Sequence, residues 1–276
     1  MRHVRAIFRL LLLVLSLLVG FPIWFLIHML LFPLPNRQRA WRNGCTRGWS
    51  RFAARVMGLR IRVTGIPPEP PFCLVANHLS YLDAITLMSH IHGVMIAKSE
   101  IASWPVIGWL SRQIGTVFIN REMARDVVRV NAMIARILDE GDGIAFFPEG
   151  TTTDGKQVGR FNSSLLHYPA ETGYPVHFAT IRYATKQVSA SEFVCWGSDI
   201  VFGPHLYRAA GIRSIRADVQ FGKSPLKDSD RKRLTSRLRE EVATAFLPVD
   251  LIALSCITNP IPGQSGVWRF CETCLI

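Results

Sequence analysis

The sequence predicts an α/β fold, with a sheet flanked by helices, and a membrane-embedded helix or helical hairpin at the N-terminus. After residue 55, short apolar runs rich in β-branched and aromatic residues alternate with helical patterns through short connections, which is typical of layered α/β domains. Before it, Leu10–Phe32 contains no formally charged residue and exceeds the roughly 20 residues that a helix needs to cross a bilayer core. The whole chain has 276 residues, enough for one large domain and an appendage.

The N-terminal apolar segment is expected to be retained, because it is longer than the core of a signal peptide and Phe32–Pro35 is a poor cleavage site. Arginines flank the segment on both sides, so charge does not define its orientation. Gly20 and Pro22 could bend it into two short helices. A spanning helix and a re-entrant hairpin therefore both remain open.

The composition divides the chain into four parts. Residues 1–35 form the membrane anchor, and residues 36–55 mix arginine with tryptophan and phenylalanine. That mixture suits a basic amphipathic segment at the level of the lipid headgroups, although a solvated linker helix fits as well. Residues 56–250 form the α/β domain, and residues 251–276 are a tail to which we assign no function.

Periodicity predicts the elements of the α/β domain in chain order. The predicted strands are Leu59–Val63, Phe72–Ala76, Gly93–Ala97, Thr116–Asn120, Gly143–Phe147, Tyr174–Tyr183, Glu192–Phe202 and Ala217–Phe221. The predicted helices are one that begins near Ser80, then Ile101–Arg112, Arg121–Glu140 and Asp228–Ala245. Loops that follow buried strands are the usual ligand positions in such a fold.

The net charge is +12, which suits an anionic partner such as nucleic acid, a membrane surface or a phosphorylated substrate. The six cysteines do not form a disulfide pattern for a chain of this size, so a reducing compartment is expected. Cys271-x-x-Cys274 stands alone, and an isolated pair is a weak sign of a metal or redox site.

His78 and Asp83 are the first candidate pair. Five helical steps would place their side chains about 140° apart, so both cannot lie on one helix and meet. They can meet if His78 lies in the loop entering a helix and Asp83 in its first turn. Ser80 supports this layout, because Ser80-x-x-Asp83 has the spacing of a capping box. A carboxylate beside an imidazole would make it a general base, while a local cap alone would also explain both residues.

Three further segments follow or enter predicted strands. Phe146–Thr153 opens into glycine and threonine, where the backbone could approach an anionic or polyol group. Gly115–Arg121 ends on an arginine that could hold a phosphate in a bidentate fork. Gly173–Ala179 could line an acyl pocket. Each segment also has a purely structural explanation: the first as a turn that ends a strand, the second as the solvated start of a helix, and the third as packing in the core.

Together these segments resemble the lysophosphatidic acid acyltransferase family of glycerolipid acyltransferases, which includes 1-acyl-sn-glycerol-3-phosphate acyltransferase. The Asn-His-x-Ser-x-x-Asp block of that family matches Asn77–Asp83, the Gly-x-x-Phe-Ile-x-Arg block matches Gly115–Arg121, and the Phe-Pro-Glu-Gly-Thr block matches Phe147–Thr151. A strand that contains proline follows, here around Pro175. The resemblance covers roughly residues 55–185.

The resemblance implies an acyltransferase in phospholipid biosynthesis. His78 would remove the proton from a free hydroxyl of a lysolipid, most simply 1-acyl-sn-glycerol 3-phosphate, and Asp83 would orient the imidazole. The acceptor site would be formed by Arg121, Glu149, Gly150, Thr151 and Lys98. Acyl-CoA or acyl-carrier protein would be the co-substrate, with no metal, no other cofactor and no covalent acyl-enzyme. The implied location is a membrane, in a bacterium the inner membrane, with the catalytic domain facing the cytoplasm.

Two positions depart from the family pattern. Asn120 stands where many members have aspartate, and Thr152 stands where many have arginine after the Phe-Pro-Glu-Gly-Thr block. The continuation through Gly155 and then Phe161–Ser164 resembles the bacterial branch that includes lyso-ornithine-lipid acyltransferases. Lyso-ornithine lipid is therefore the alternative acceptor.

Four other classes of function compete with this one. A serine hydrolase would want a Gly-x-Ser-x-Gly elbow, and the sequence contains none. A metal site could recruit His90 and His92, which a solvated helix end explains better. A nucleic-acid-binding module is disfavoured because the basic residues are scattered beside a membrane segment. A non-catalytic membrane adaptor is the alternative that remains.

Overall fold

The computed structural model describes residues 1–186, 188–197 and 200–249; the predicted tail and the Cys271–Cys274 pair lie outside them. The strands are β1 Leu59–Thr64, β2 Phe72–Ala76, β3 Val94–Lys98, β4 Val117–Ile119, β5 Gly143–Phe146, β6 Val176–Thr185 and β7 Ile215–Phe221. The helices are α1 Arg2–Leu30, α2 Pro35–Met57, α3 Leu82–Met88, α4 Ile107–Gln113, α5 Ala124–Asp139, α6 His167–Thr172, α7 Ala190–Phe193, α8 Phe202–Ala210 and α9 Arg231–Ala245. Short 3-10 helices cover Ser99–Ser103 and Ser164–Leu166.

The strands form one mixed sheet in the order β1-β7-β6-β2-β5-β3-β4. Neighbours are parallel except β6 and β7, so β1 and β7 run against the other five strands. The carboxyl ends of β2, β5, β3 and β4 consequently meet at one edge. This edge is where ligands bind in open α/β sheets, and the loops after all four of these strands open there.

Helices cover both faces of the sheet. The connections β2–α3–β3 and β4–α5–β5 cross the sheet in opposite directions, so right-handed crossovers place α3 and α5 on opposite faces. α2 packs on α3, whereas α6 packs between α5 and α9. All five residues of β2 are buried, as expected for a central parallel strand covered on both faces. The predicted α/β class is confirmed by this arrangement.

The N-terminal segment forms one continuous helix, α1, and does not bend into two helices at Gly20 and Pro22. An internal proline removes a single backbone hydrogen bond, which this long helix tolerates. By length and composition α1 could cross a membrane. The chain turns after Leu30, and α2 returns antiparallel along α1 as the second arm of a helical hairpin.

Polar contacts fix α2 to the α/β domain. The guanidinium of Arg42 pairs with the buried carboxylate of Asp142, and Asn43 donates to the same carboxylate at 2.8 Å. Arg51 donates to the carbonyl of Ser89 at 2.9 Å. Since these groups precede β5 and end α3, residues 36–55 are docked on the domain and do not form a solvated linker.

Two element predictions are wrong. Glu192–Phe202 is not a strand in its described residues: Glu192 lies in α7, whose first turn is capped by the side chain of Ser189, and Phe202 begins α8. Pro204 is compatible with this start, because proline is tolerated in the first turn of a helix. Ile101–Arg112 is divided around Pro105 into the end of a 3-10 helix and α4.

Candidate active site

The loop after β2 carries His78 and Asp83, and the structure brings their side chains together. The Nδ1 atom of His78 lies 2.7 Å from Oδ2 of Asp83, with His78 before α3 and Asp83 in its first turn. The Asp83 side chain is fully buried, whereas that of His78 is 20% exposed. The layout expected from the five-residue spacing is therefore the observed one.

Asp83 organises the loop through additional hydrogen bonds. Its Oδ2 atom accepts from the backbone N–H groups of Leu79 at 2.6 Å and Ser80 at 2.8 Å. The expected serine cap is absent in the described chain, because the Ser80 hydroxyl is buried without a hydrogen-bond partner there. Asp83 therefore makes the capping-box hydrogen bond of its own carboxylate, without the reciprocal bond from the Ser80 hydroxyl. Because the carboxylate can only accept, Nδ1 of His78 carries the proton and Nε2 is left as the basic nitrogen.

A residue distant in sequence completes this network. Tyr183, in β6, donates its hydroxyl proton to Oδ1 of Asp83 at 2.8 Å. Burial, and then the charge of Asp83, raises the pKa of Tyr183 well above its ordinary value, which keeps the hydroxyl protonated and donating. Sequence reasoning missed this residue, since no local pattern in a strand distinguishes a tyrosine that binds a carboxylate from one that fills the core.

Asn77 joins the same loop to the sheet. Its side-chain amide donates to the carbonyl of Ile181 at 2.9 Å and accepts from the N–H of Ile181 at 2.7 Å. This pair of bonds continues the β2–β6 ladder by one step through a side chain. His78 is thereby placed directly beyond the end of a rigid, buried strand.

The loop after β5 lies against His78. The ring of Phe147 stacks on the imidazole with a centroid separation of 4.0 Å and parallel planes. The backbone N–H of Thr153 donates to the carbonyl of His78 at 2.9 Å, and Glu149 accepts from the N–H of His78 at 2.9 Å. The two motifs that resemble one family therefore form a single surface around the imidazole.

Glu149 acts as a bridge between loops. It is 7% exposed, and its second oxygen accepts from the N–H of Gly159 at 3.0 Å. A Cβ atom at Gly159 would come within 2.4 Å of this carboxylate, so a side chain there would displace Glu149 from its present position. Burial raises the pKa of Glu149 to about 7, although the two N–H donors oppose the shift.

The remaining predicted acceptor residues lie at the same sheet edge, at different depths. Arg121 donates to the carbonyl of Phe147 at 3.0 Å and passes so close to Gly150 that a Cβ atom there would lie 2.2 Å from its guanidinium. Burial lowers the pKa of Arg121, yet a guanidinium stays charged in proteins. Thr151 is exposed. Lys98 is also exposed and pairs with Glu100 at 2.8 Å.

The structure also locates the segment predicted to line an acyl pocket and the two histidines considered for a metal site. The segment Gly173–Ala179 enters β6 at its N-terminal end, where Val176 is level with Cys73, near the start of β2. Its first residues therefore lie toward the edge opposite His78, whereas Ala179 reaches the level of Ala76, the last residue of β2; a role for the segment in an acyl pocket stays a prediction. His92 contacts Arg47, and His90 contacts Ser89; among the described residues, no three His, Cys, Asp or Glu side chains are arranged to hold a metal ion.

Comparison with known proteins agrees with this geometry. Residues 60–182 match the family model described as Acyltransferase. The chain is 32% identical to a lyso-ornithine lipid O-acyltransferase of Rhodobacter capsulatus, across 78% of this chain and 79% of the relative. The chain belongs to the glycerolipid acyltransferase family.

Two further comparisons extend this assignment. A 1-acyl-sn-glycerol-3-phosphate acyltransferase of Neisseria gonorrhoeae is 28% identical, over 77% of this chain and 87% of that protein. The crystal structure of the 1-acyl-sn-glycerophosphate acyltransferase of Thermotoga maritima has the same fold, with a TM-score of 0.64 at 21% identity, covering 88% and 96% of the two chains. The predictions of family, fold and acyltransferase activity are confirmed.

Proposed function

We propose that this acyltransferase moves a fatty acyl group from an acyl thioester to the free hydroxyl of a lysolipid, with lyso-ornithine lipid as the preferred acceptor. The observation that carries the preference is Thr152. Its hydroxyl donates to the carbonyl of Trp196, so the position where many family members have an arginine holds a neutral side chain that is bound to a backbone carbonyl. The resemblance to relatives named as lyso-ornithine lipid acyltransferases supports the same choice.

Lysophosphatidic acid is the second candidate, which the sequence resemblance favoured. Arg121 supports it, because a desolvated guanidinium beside Gly150 suits an anionic group. The Neisseria relative named for that reaction supports it too. A single guanidinium can pair with two oxygen atoms of one carboxylate or phosphate. A phosphate monoester carries up to two negative charges and is better neutralised by two cations.

In the proposed reaction His78 is the general base. Its Nε2 atom takes the proton of the acceptor hydroxyl as the oxygen attacks the thioester carbonyl carbon. The new C–O bond forms, the C–S bond breaks, and the imidazolium returns the proton to the leaving thiolate. The buried carboxylate of Asp83 stabilises the imidazolium. Acyl-CoA or acyl-carrier protein supplies the thioester, and this scheme requires no metal or further cofactor.

The structure also supports a position for α1 along the membrane surface. Near its start, Arg5 donates to the carbonyl of Gly211 at 2.8 Å; sixteen residues later, Phe21 contacts Trp109 of α4 at 4.7 Å between ring centroids. At 1.5 Å per residue, α1 therefore follows the domain for about 24 Å. A helix that crossed the bilayer would leave the domain at one end.

The outer face of α1 is apolar along its length. The large apolar residues of α1 that are exposed are Val4, Ile7, Phe8, Leu11, Val14, Leu15, Leu18, Val19, Ile23, Phe25, Leu26, Met29 and Leu30. Such a stripe suits immersion in one leaflet, with Arg37, exposed after the end of α1, at the anionic headgroups. We place it on the inner membrane of a bacterium, with the domain in the cytoplasm beside its thioester donors.

The test is an acceptor screen with purified full-length protein and a labelled acyl thioester, as CoA ester and as acyl-carrier-protein ester. Lyso-ornithine lipid, lysophosphatidic acid, other lysophospholipids and glycerol 3-phosphate are offered in parallel. We expect the highest kcat/KM with lyso-ornithine lipid. A preference for lysophosphatidic acid would select the second candidate. Transfer to none of the acceptors would favour the non-catalytic adaptor.

A further inference from the structure

An apolar surface outside the N-terminal helices stands beside the catalytic loop. We call it the lip: Trp104 and Val106 between the first 3-10 helix and α4, Ile107 and Trp109 in the first turn of α4, and Val201 and Phe202 at the start of α8. Within it Val106 is 64% exposed, Val201 72% and Trp109 48%. Two valines and a tryptophan that are this exposed and lie together indicate a surface that a partner covers.

The backbone holds Val106 outward at an energetic cost. Val106 has φ 63° and ψ −57°, and the N–H of Ile107 donates to the carbonyl of Pro105 at 2.6 Å. These values describe a γ-turn of the rare, strained kind with positive φ, which is unfavourable for a β-branched residue. A solvated loop gains nothing from strain of this kind, whereas an inserting loop gains an apolar tip.

The two halves of the lip are in contact with each other and with α1. Trp104 and Phe202 lie 4.8 Å apart between ring centroids. Trp109 contacts Phe21 of α1, and the other end of α8 packs on the first turns of α1. The lip is therefore continuous with the apolar face of α1.

The lip is also joined to the catalytic loop. The ring of Tyr81 lies 5.0 Å from that of Phe202 and 5.8 Å from that of Trp196. The N–H of Trp196 donates to the carbonyl of Leu79 at 2.8 Å. Leu79 and Tyr81 both lie between His78 and Asp83, so the position of the lip is coupled to that of the base.

We infer that the lip is a second membrane contact, which the catalytic domain itself inserts into the leaflet that receives α1. This inference rests on the proposed function, since it takes the proposed position of α1 as the edge of the membrane surface. A lipid bilayer is the occupant because the patch extends the face of α1. Tryptophan favours the membrane–water interface, and Arg112, exposed one turn after Trp109, offers a cation to the headgroups. Insertion holds His78 at the depth where a lysolipid presents its hydroxyl.

The test compares the double variant Val106→Asp/Val201→Asp with Val128→Asp, all as full-length protein. At position 106 aspartate is not β-branched and is therefore less unfavourable than valine at positive φ, and at position 201 it occupies the N-cap of α8, where it is favourable. Both substitutions therefore spare the fold. Val128 is 70% exposed on α5, which covers the face of the sheet opposite to that of α3. Its substitution controls for an added surface charge.

Two readouts are taken: flotation with vesicles of phosphatidylethanolamine and phosphatidylglycerol, and acyl transfer to lysolipid either embedded in those vesicles or dispersed in detergent. We expect the double variant to bind vesicles several-fold less and to transfer about tenfold more slowly on vesicles. In detergent its rate should stay within about twofold of the native rate. Val128→Asp should resemble the native protein in every assay.

Native binding and native vesicle rates in the double variant would overturn the inference. An equal loss in detergent would overturn it too, because it would assign the lip residues to the site itself. If Val128→Asp weakens vesicle binding and transfer as much as the double variant does, an added surface charge explains the losses, and the inference is overturned. If the native protein acylates no lysolipid, the proposed function fails, and flotation alone still decides whether the lip binds membrane.

Discussion

Oε1 of Glu149 accepts a hydrogen bond from the backbone N–H of His78 at 2.9 Å. The contact joins the loop after β5 to the loop after β2, at the residue that carries the base. Because the other carboxylate oxygen accepts from Gly159, both oxygens are used in holding loops together. Glu149, which the family resemblance placed in the acceptor site, therefore has a geometry suited to positioning.

Glu149→Gln should make this role visible through pH. The folded protein keeps a proton on Glu149 up to about pH 7, whereas the unfolded chain loses it near 4.5. Between these values the native state binds more protons, so its free energy of unfolding falls as pH rises, by about 1–3 kcal/mol for this group. The glutamine variant should lack that part of the slope in urea unfolding at pH 5 and pH 7.5.

The variant should also lose activity above pH 7, because an amide can accept only one of the two N–H bonds and turns its NH2 group toward the other donor. Glu171→Gln, at an exposed position of α6, is the matched control. A pH slope of stability that is the same in native protein and Glu149→Gln would show that this carboxyl does not titrate as its burial indicates.

The strand pattern and the short-range part of the site could be predicted from sequence. Continuous apolar runs defined β2 and β5, since a strand covered on both faces has no polar alternation. Ser80-x-x-Asp83 defined the helix entry, although the acid and not the serine makes the cap. Long-range contacts could not be predicted: Tyr183 is one hundred residues from Asp83, and its sequence neighbours give no sign of the carboxylate it binds.

The Glu192–Phe202 prediction failed for a related reason. This run is apolar because it packs against the catalytic loop, with the N–H of Trp196 donating to the carbonyl of Leu79. Burial against a loop produces the same hydrophobic composition as burial in a sheet, and Pro204, in the first turn of α8, is the sequence sign of a helix start there.

His78→Ala should reduce acyl transfer to a lysolipid by about 10³-fold, because the substitution removes the nitrogen that takes the hydroxyl proton in the proposed reaction. Membrane association should be unchanged, since α1 and α2 make no hydrogen bond to His78 in the described structure. The rate is measured with purified protein and a labelled thioester. His167→Ala, at an exposed position of α6, should retain the native rate; near-native transfer by His78→Ala would reject the proposed base.

Tyr183→Phe should lower both stability and rate without removing the base. Oδ1 of the buried Asp83 loses its donor, and an unsatisfied buried acceptor costs about 1–3 kcal/mol. We expect kcat to fall several-fold with KM unchanged, because the hydroxyl positions the Asp83–His78 pair and touches no substrate. Tyr174→Phe removes a hydroxyl that donates to Pro71 at 3.2 Å, and it should leave kcat unaltered. Equal kinetic effects of the two variants would assign Tyr183 a purely structural role.

Thr152→Arg should change the acceptor preference. The substitution introduces a second guanidinium near Arg121 and Gly150, so that two guanidinium groups could hold a phosphate. We therefore expect a change in the ratio of two kcat/KM values, that for lysophosphatidic acid divided by that for lyso-ornithine lipid. This ratio should rise about tenfold. Thr152→Val separates the charge from the lost hydrogen bond to Trp196: it should lower both rates together and leave the ratio unchanged. If the ratio shifts equally in both variants, the hydroxyl and not the missing cation controls the choice of lipid. If it shifts in neither, position 152 does not face the acceptor, and selectivity must come from Arg121 or from the segment around Asn162, which donates to the carbonyl of Glu149.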